Sequence, residues 1–159
     1  MDKKQITQSV WENPIHFLAF GFGFGLAPVA PGTFGTLVAI PIYYLLMGLP
    51  VWAYIAIVVA LFLFGIFLCE TTSNNLKVHD HSGIVWDEIV GYLITMIAAP
   101  RGWQWMILGF ILFRFFDILK PWPIKMIDAR IKGGFGIMFD DVVAGIFGLI
   151  IIQLLVLVF

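Results

Sequence analysis

The chain is poor in charge. Asp, Glu, Lys and Arg make up 12% of its 159 residues, against 61% hydrophobic, and the mean hydropathy is +0.99. Soluble domains carry roughly 25% charged residues, so this composition excludes an ordinary soluble domain and points to an integral membrane protein. Basic residues are neither abundant nor clustered. Nine Lys and Arg stand against ten Asp and Glu, for a net charge of −1, and no basic run is present to hold nucleic acid. Cysteine is nearly absent: Cys69 alone excludes an internal disulfide, and its place at the end of an apolar run marks it as packing. With one cysteine and three histidines, no spacing fits a zinc set. Repeats and low-complexity linkers are missing, and the polar start Met1-Asp2-Lys3-Lys4 lacks the pattern of a cleavable signal peptide. A single membrane-embedded domain over 1–159 is expected.

What is there is apolar sequence in runs. Val51 to Leu68 and Val142 to Phe159, the latter broken only by Gln153, are each long enough as helices to cross a bilayer core of about 30 Å. Shorter runs end at prolines: Leu37 to Leu49 before Pro50, and Ile89 to Ala99 before Pro100. Trp103 to Leu119 completes the set. The stretch 14–35 is apolar but dense in glycine and proline, which suits a helix followed by a re-entrant or interfacial loop better than a regular span. The expected fold is all-α, a polytopic helical bundle of about five crossings plus this N-terminal element. Lys3 and Lys4, Lys77, and the group Lys120, Lys125, Arg130 and Lys132 fall on alternate connections, which puts those connections in the cytoplasm, with Arg101 dissenting. Trp52 and Trp103 then anchor the outer interface and Trp122 the inner one.

The few charges are grouped: His79-Asp80-His81, Asp87-Glu88, Arg114 with Asp117 and Lys120, and Asp140-Asp141. In the expected topology all four groups emerge on one side. Ionisable groups beside hydrocarbon are costly and ordinarily have a partner or a task. Each acidic pair stands near the start of a span, where one carboxylate would serve as a helix cap. Two pairs brought together would repel unless a cation lay between them, and Mg²⁺ is the hard, oxygen-seeking ion that suits them. Arg114 and Asp117 share a helix face, as an ion pair or as a phosphate grip whose partner orients it; Lys120 follows one turn on. Asp80 suits a ligand, nucleophile or base, and the flanking histidines an acid or base near a metal. His16 reads as structural. Gly21, Gly23, Gly25 and Pro31-Gly32-Thr33 fit either a backbone cradle for an anion or close helix packing. Gly133-Gly134-Phe135-Gly136 suits a flexible approach to Asp140.

Taken together, the stretches GFGFGLAPVAPGTFGTL (21–37), VHDHSGIVWDEIVG (78–91), FRFFDILKPWPI (113–124) and GGFGIMFDDVVAG (133–145) resemble the phosphatidylglycerophosphatase A family. Thr36 stands where that family would carry serine. The resemblance implies a Mg²⁺-dependent phosphatase of the bacterial cytoplasmic (inner) membrane, multi-pass, with its active site facing the cytoplasm. Its substrate would be phosphatidylglycerophosphate, converted to phosphatidylglycerol and phosphate. The implied metal ligands come from Asp80, Asp87, Glu88, Asp140 and Asp141. Asp80, Asp87, Asp141 and Arg114 are the implied catalytic residues, and Gly32, Thr33, His79, Arg114 and Lys120 would bind the substrate. Either a carboxylate base or a covalent carboxylate nucleophile fits. The alternative is an ion or metabolite transporter, which uses intramembrane carboxylates and glycine-broken helices too; it would place polar residues through the full bilayer depth, whereas the outer halves of these spans are almost free of charge. The motifs of CDP-alcohol phosphotransferases and of vanadium-peroxidase-like lipid phosphatases are absent.

Overall fold

A computed structural model describes residues 2–158. Among them every regular element is helical: α1 (Lys3–Glu12), α2 (Pro14–Ala19), a 3-10 turn (Phe24–Leu26), α3 (Pro31–Leu46), α4 (Val51–Leu76), α5 (Trp86–Thr95), α6 (Trp103–Leu119), α7 (Ile124–Arg130) and α8 (Gly133–Val158).

The arrangement is built around α5. All of its ten residues except Glu88 are buried, and α3, α4, α6 and α8 pack around it, α8 most extensively. One face of α5 carries Asp87, Gly91 and Thr95 at four-residue spacing, and it meets Asp141, Gly145 and Gly148 of α8. The absent side chains let the two backbones approach. A Cβ at Gly145 would sit 2.5 Å from the Gly91 carbonyl oxygen, and one at Gly91 would strike the Phe113 ring of α6. Thr95 closes the seam, its hydroxyl donating to the carbonyls of Gly91 (3.1 Å) and Gly145 (3.2 Å). Small residues serve this purpose where hydrocarbon surrounds the helices and contact is driven by packing. The same seam brings Asp87 and Asp141 to one end of the molecule.

The exterior is apolar. α4 and α8 have mean hydropathies of 2.7 and 2.6 and are long enough to cross a membrane, with most of each span facing outward. On α6, Trp103, Ile107, Ile111, Phe115 and Ile118 form an exposed stripe, while Gly109 and Phe113 turn inward. Water does not tolerate apolar surface on this scale, so the chain is a membrane-associated protein. Trp52, Trp103 and Trp122 are all exposed. By contrast, α5 at about 1.5 Å per residue reaches only about half a bilayer core; it is a core helix sheathed by its neighbours.

Several element boundaries differ from the sequence reading: α3 and α5 each start and stop a few residues before the apolar runs 37–49 and 89–99 do, and the two longest helices differ more. The helix begun at Val51 does not stop with its apolar run but continues through polar residues to Leu76, where Lys77 turns left-handed. The final helix begins at Gly133, not near Val142, and so takes the glycine-rich stretch into its first turn. The reason is close packing: a Cβ at Gly134 would lie 2.7 Å from the Glu70 backbone nitrogen, besides striking the Ile66 carbonyl oxygen. Glu70 meanwhile accepts the Gly134 N–H at the open end of α8. The N-terminal stretch is a short helix and turns packed onto the 81–85 segment: Val85 N–H donates to the Ala19 carbonyl at 2.9 Å. Cys69 is fully buried, its sulfur 3.7 Å from that of Met138. His16 is buried between Ser9 (2.7 Å) and Asn75 (3.0 Å), a tie between α1, α2 and α4.

Candidate active site

The charged groups of four separate sequence stretches do converge. A pocket of about 230 Å³ is lined by Asp80, Asp87, Glu88, Arg114, Asp117, Lys120, Asp140 and Asp141, with Gly32 and Ser82 at its wall. Asp87 and Glu88 come from the first turn of α5, Arg114 and Asp117 from the end of α6, and Lys120 from the residue that caps it. Lys120 has positive φ, 44°. It precedes Pro121, which disfavours continued helix, and the left-handed cap swings its side chain back across the pocket.

Asp140 and Asp141 lie two turns inside α8, so neither caps that helix. They are held there by α5 and α7, and both are buried. Asp140 has a partner: the Lys120 ammonium is 2.7 Å from its Oδ2, and Asp128 of α7 takes the same ammonium at 3.3 Å. Asp141 has none on its inner oxygen. Asp87, Glu88 and Asp141 each offer an oxygen within 4.8 Å of the others. Asp87 Oδ1, Glu88 Oε2 and Asp141 Oδ2 are buried without any hydrogen bond, as is Arg114 Nε. Orphaned buried oxygens are rare and expensive. Three carboxylates brought together, each with an unpartnered buried oxygen and all hard donors, fit a divalent cation of the Mg²⁺ type.

Arg114 sits on the opposite wall, paired with Asp117 and 3.8 Å from Glu88 Oε1. Gly32, in the first turn of α3, makes room for that contact, since a Cβ there would meet the Glu88 carboxylate and, at 3.0 Å, Arg114 Nη1. Thr36, one turn on, is fully buried and donates to the Gly32 carbonyl at 2.8 Å. Its hydroxyl therefore steadies this turn without reaching the pocket. Ala30, before α3, holds a left-handed φ of 48° at the pocket wall.

Asp80 lines the mouth. It is exposed overall, yet the protein packed around its carboxyl raises its pKa from the ordinary value, with Lys120 pulling the other way. His81 turns away from the carboxylates. Its Nδ1 accepts from Gly83 N–H at 3.0 Å, and burial lowers its pKa. Of the residues singled out in the sequence, Thr33 and His79 are not part of the lining; His79 is exposed, and its carbonyl accepts from the Ser73 hydroxyl at 2.6 Å. Ser82, at the pocket wall, was not foreseen: one serine in a polar loop carries no signal until the loop is folded over α5.

A buried group of carboxylates edged by two cations, set at one end of an apolar helical protein, defines a membrane protein equipped to handle an anionic group at the membrane boundary. The family model for Phosphatidylglycerophosphatase A matches residues 17–156. The chain is 50% identical over 135 residues to phosphatidylglycerophosphatase A of Escherichia coli, covering 84% of this chain and 78% of that one. It is 48% identical over 142 residues to the Haemophilus influenzae protein of the same name, covering 88% and 87%. A Bacteroides thetaiotaomicron protein provisionally named a phosphatidylinositol-3-phosphatase is 39% identical over 139 residues, covering 83% and 87%. No solved structure matches the chain. The chain belongs to the phosphatidylglycerophosphatase A family.

Proposed function

We propose that this enzyme removes the terminal phosphate of phosphatidylglycerophosphate, giving phosphatidylglycerol and inorganic phosphate, and that it requires Mg²⁺. The carrying observation is the trio Asp87, Glu88 and Asp141, whose carboxylates converge beside Arg114 and Lys120, each with an unpartnered buried oxygen. The trio would hold the ion, which when bound supplies positive charge against the phosphate oxygens. Arg114 offers a planar fork for two phosphate oxygens, and its Nε has no competing partner. Lys120 adds a point charge from the far side while keeping Asp140 paired. Both cations act where charge redistributes as the phosphoryl group transfers. Asp140 is engaged by Lys120, Asp117 is engaged by Arg114 and the trio is committed to the ion, which leaves Asp80 at the mouth as the base. Water adds to phosphorus and the bond from phosphorus to the glycerol oxygen breaks. Asp80 takes the proton from water and returns one to the departing alkoxide.

The charged end faces the cytoplasm in this proposal, by the placement of lysines and arginines on alternate connections. With α3, α4, α6 and α8 crossing and α5 with its following turn completing the fifth passage, the lipid's acyl chains stay in the inner leaflet while its headgroup reaches the pocket. The test is phosphate release by purified protein in neutral detergent micelles. Release from phosphatidylglycerophosphate, and little from phosphatidylinositol-3-phosphate, is the expected result. Release from the inositol lipid alone would overturn the substrate assignment. In sealed vesicles of known orientation, activity toward added short-chain substrate should appear only where the charged end faces outward.

A further inference from the structure

The carboxylate pocket accounts for one phosphate, but the lipid proposed above carries two. Besides the terminal monoester, an internal phosphodiester joins the glycerol to the diacylglycerol moiety. A second pocket, of about 360 Å³, adjoins the first, and Pro31 and Ser82 line both. Its chemistry is the reverse of its neighbour's. The first pocket is lined by six carboxylates, the second by none. Lys3 and Thr7 of α1 form one wall, His81 another. Among the described residues Lys3 has no carboxylate within salt-bridge distance. His81 uses Nδ1 to accept the Gly83 N–H, which in a neutral ring places the proton on Nε2 and leaves a donor free. The ring is braced against Phe20 at 5.6 Å between centroids. Nearby, Phe24 and Val29 are exposed, an apolar border suited to the lipid side of a bound phospholipid.

An anion entering the first pocket needs a cation to offset six carboxylates; an anion entering the second meets the Lys3 ammonium and the His81 ring within a largely apolar lining, the Thr7 hydroxyl being engaged by the Lys3 carbonyl. We propose that the second pocket binds the internal phosphodiester of the lipid through Lys3 and His81, and so selects phospholipids bearing a diester one glycerol away from the scissile phosphate. This rests on the lipid phosphatase reading above. Ser82, at the shared wall, faces the glycerol spacer. Lys3 and His81 are substrate-binding residues remote from the reacting atoms, so their loss weakens binding and leaves the chemical step alone.

The test uses the full chain in neutral detergent micelles, with Lys3→Gln, Lys3→Arg and His81→Gln. Three quantities are read: KM for phosphatidylglycerophosphate, inhibition by phosphatidylglycerol, which has the diester but no monoester, and inhibition by inorganic phosphate. A hydrogen bond to a charged group contributes about 1.5–3 kcal/mol, so Lys3→Gln and His81→Gln should each raise KM and the phosphatidylglycerol inhibition constant by about tenfold or more. Both kcat and phosphate inhibition should stay near wild type, and Lys3→Arg should retain wild-type binding. Unchanged KM and phosphatidylglycerol inhibition in Lys3→Gln would overturn the proposal. So would an equal loss of phosphate inhibition, or a wild type that phosphatidylglycerol does not inhibit. A wild type that releases no phosphate would instead defeat the function reading. Equilibrium dialysis with radiolabelled short-chain phosphatidylglycerol would then decide the pocket on its own: tighter binding to wild type than to Lys3→Gln supports it, and equal binding ends it.

Discussion

Replacing Asp141 by Asn should make the metal-free protein more stable while abolishing its response to Mg²⁺. The three oxygens of Asp87, Glu88 and Asp141 lie within 4.8 Å of one another. At that separation, and an effective dielectric constant of about 20, two negative charges repel by about 3.5 kcal/mol. Removing one member of the trio deletes two such repulsions, about 7 kcal/mol for a fully ionised trio at that spacing, of which proton uptake by crowded carboxylates relieves part. Arg114, 3.8 Å from Glu88, offsets a further part in the native protein, so the realised gain is a fraction of that figure. For a chain of this length, each kcal/mol moves Tm by about 2–4 °C. Melting in detergent, followed by tryptophan fluorescence, should therefore show Asp141→Asn several degrees above wild type in EDTA. Added Mg²⁺ should raise the wild type, since a ligand of the native state alone stabilises it, and leave the variant where it was. The order of the two proteins then converges or inverts with metal. A variant that melts below wild type in EDTA, or that gains as much from Mg²⁺, would refute the reasoning that these carboxylates are held together for a cation.

Further predictions follow from the packing and the ion pairs. Gly91→Ala inserts a methyl group against Phe113 and the Asp141 carbonyl oxygen; overpacking of this kind costs about 1–3 kcal/mol, and the displaced α5–α8 seam should reduce kcat well beyond the loss of folded protein. Lys120→Met strands Asp140 beside Asp128. The loss of one partner of a buried pair costs about 3–5 kcal/mol, and Asp140→Asn in the same chain should recover part of it, as a double-mutant cycle by melting would show. Glu70→Ala removes the acceptor of the Gly134 N–H, and a lost helix cap costs about 0.5–2 kcal/mol; hydrogen exchange should quicken in the first turns of α8.

The charged site was legible in the sequence because charge is scarce there. In a chain so apolar, Asp87-Glu88, Arg114, Lys120 and Asp140-Asp141 stand out from their neighbours, and helical spacing alone puts Arg114 and Asp117 on one face. The bounds of α6 were equally plain, set by Trp103 and by Leu119 before Lys120 and Pro121. The end of α4 and the start of α8 were less so. Hydropathy marks where a helix meets lipid, not where it stops, so the polar end of α4, Glu70 to Leu76, was invisible to it. Glycine-rich 133–136 looked like a loop because propensity disfavours glycine in helices, while the contacts that require glycine there, with Ile66, Glu70 and Ile131, are tertiary. Ser82 and the second pocket depend on a loop folding over two helices, and no local pattern encodes that.

The most direct measurement is phosphate release from phosphatidylglycerophosphate by purified wild-type protein, with Mg²⁺ and with EDTA, beside Asp141→Asn shown to be folded. Release that depends on Mg²⁺ and vanishes in the variant is the predicted result. Release that persists in EDTA, or at the wild-type rate in Asp141→Asn, would contradict a cation held by Asp87, Glu88 and Asp141 as the centre of the reaction.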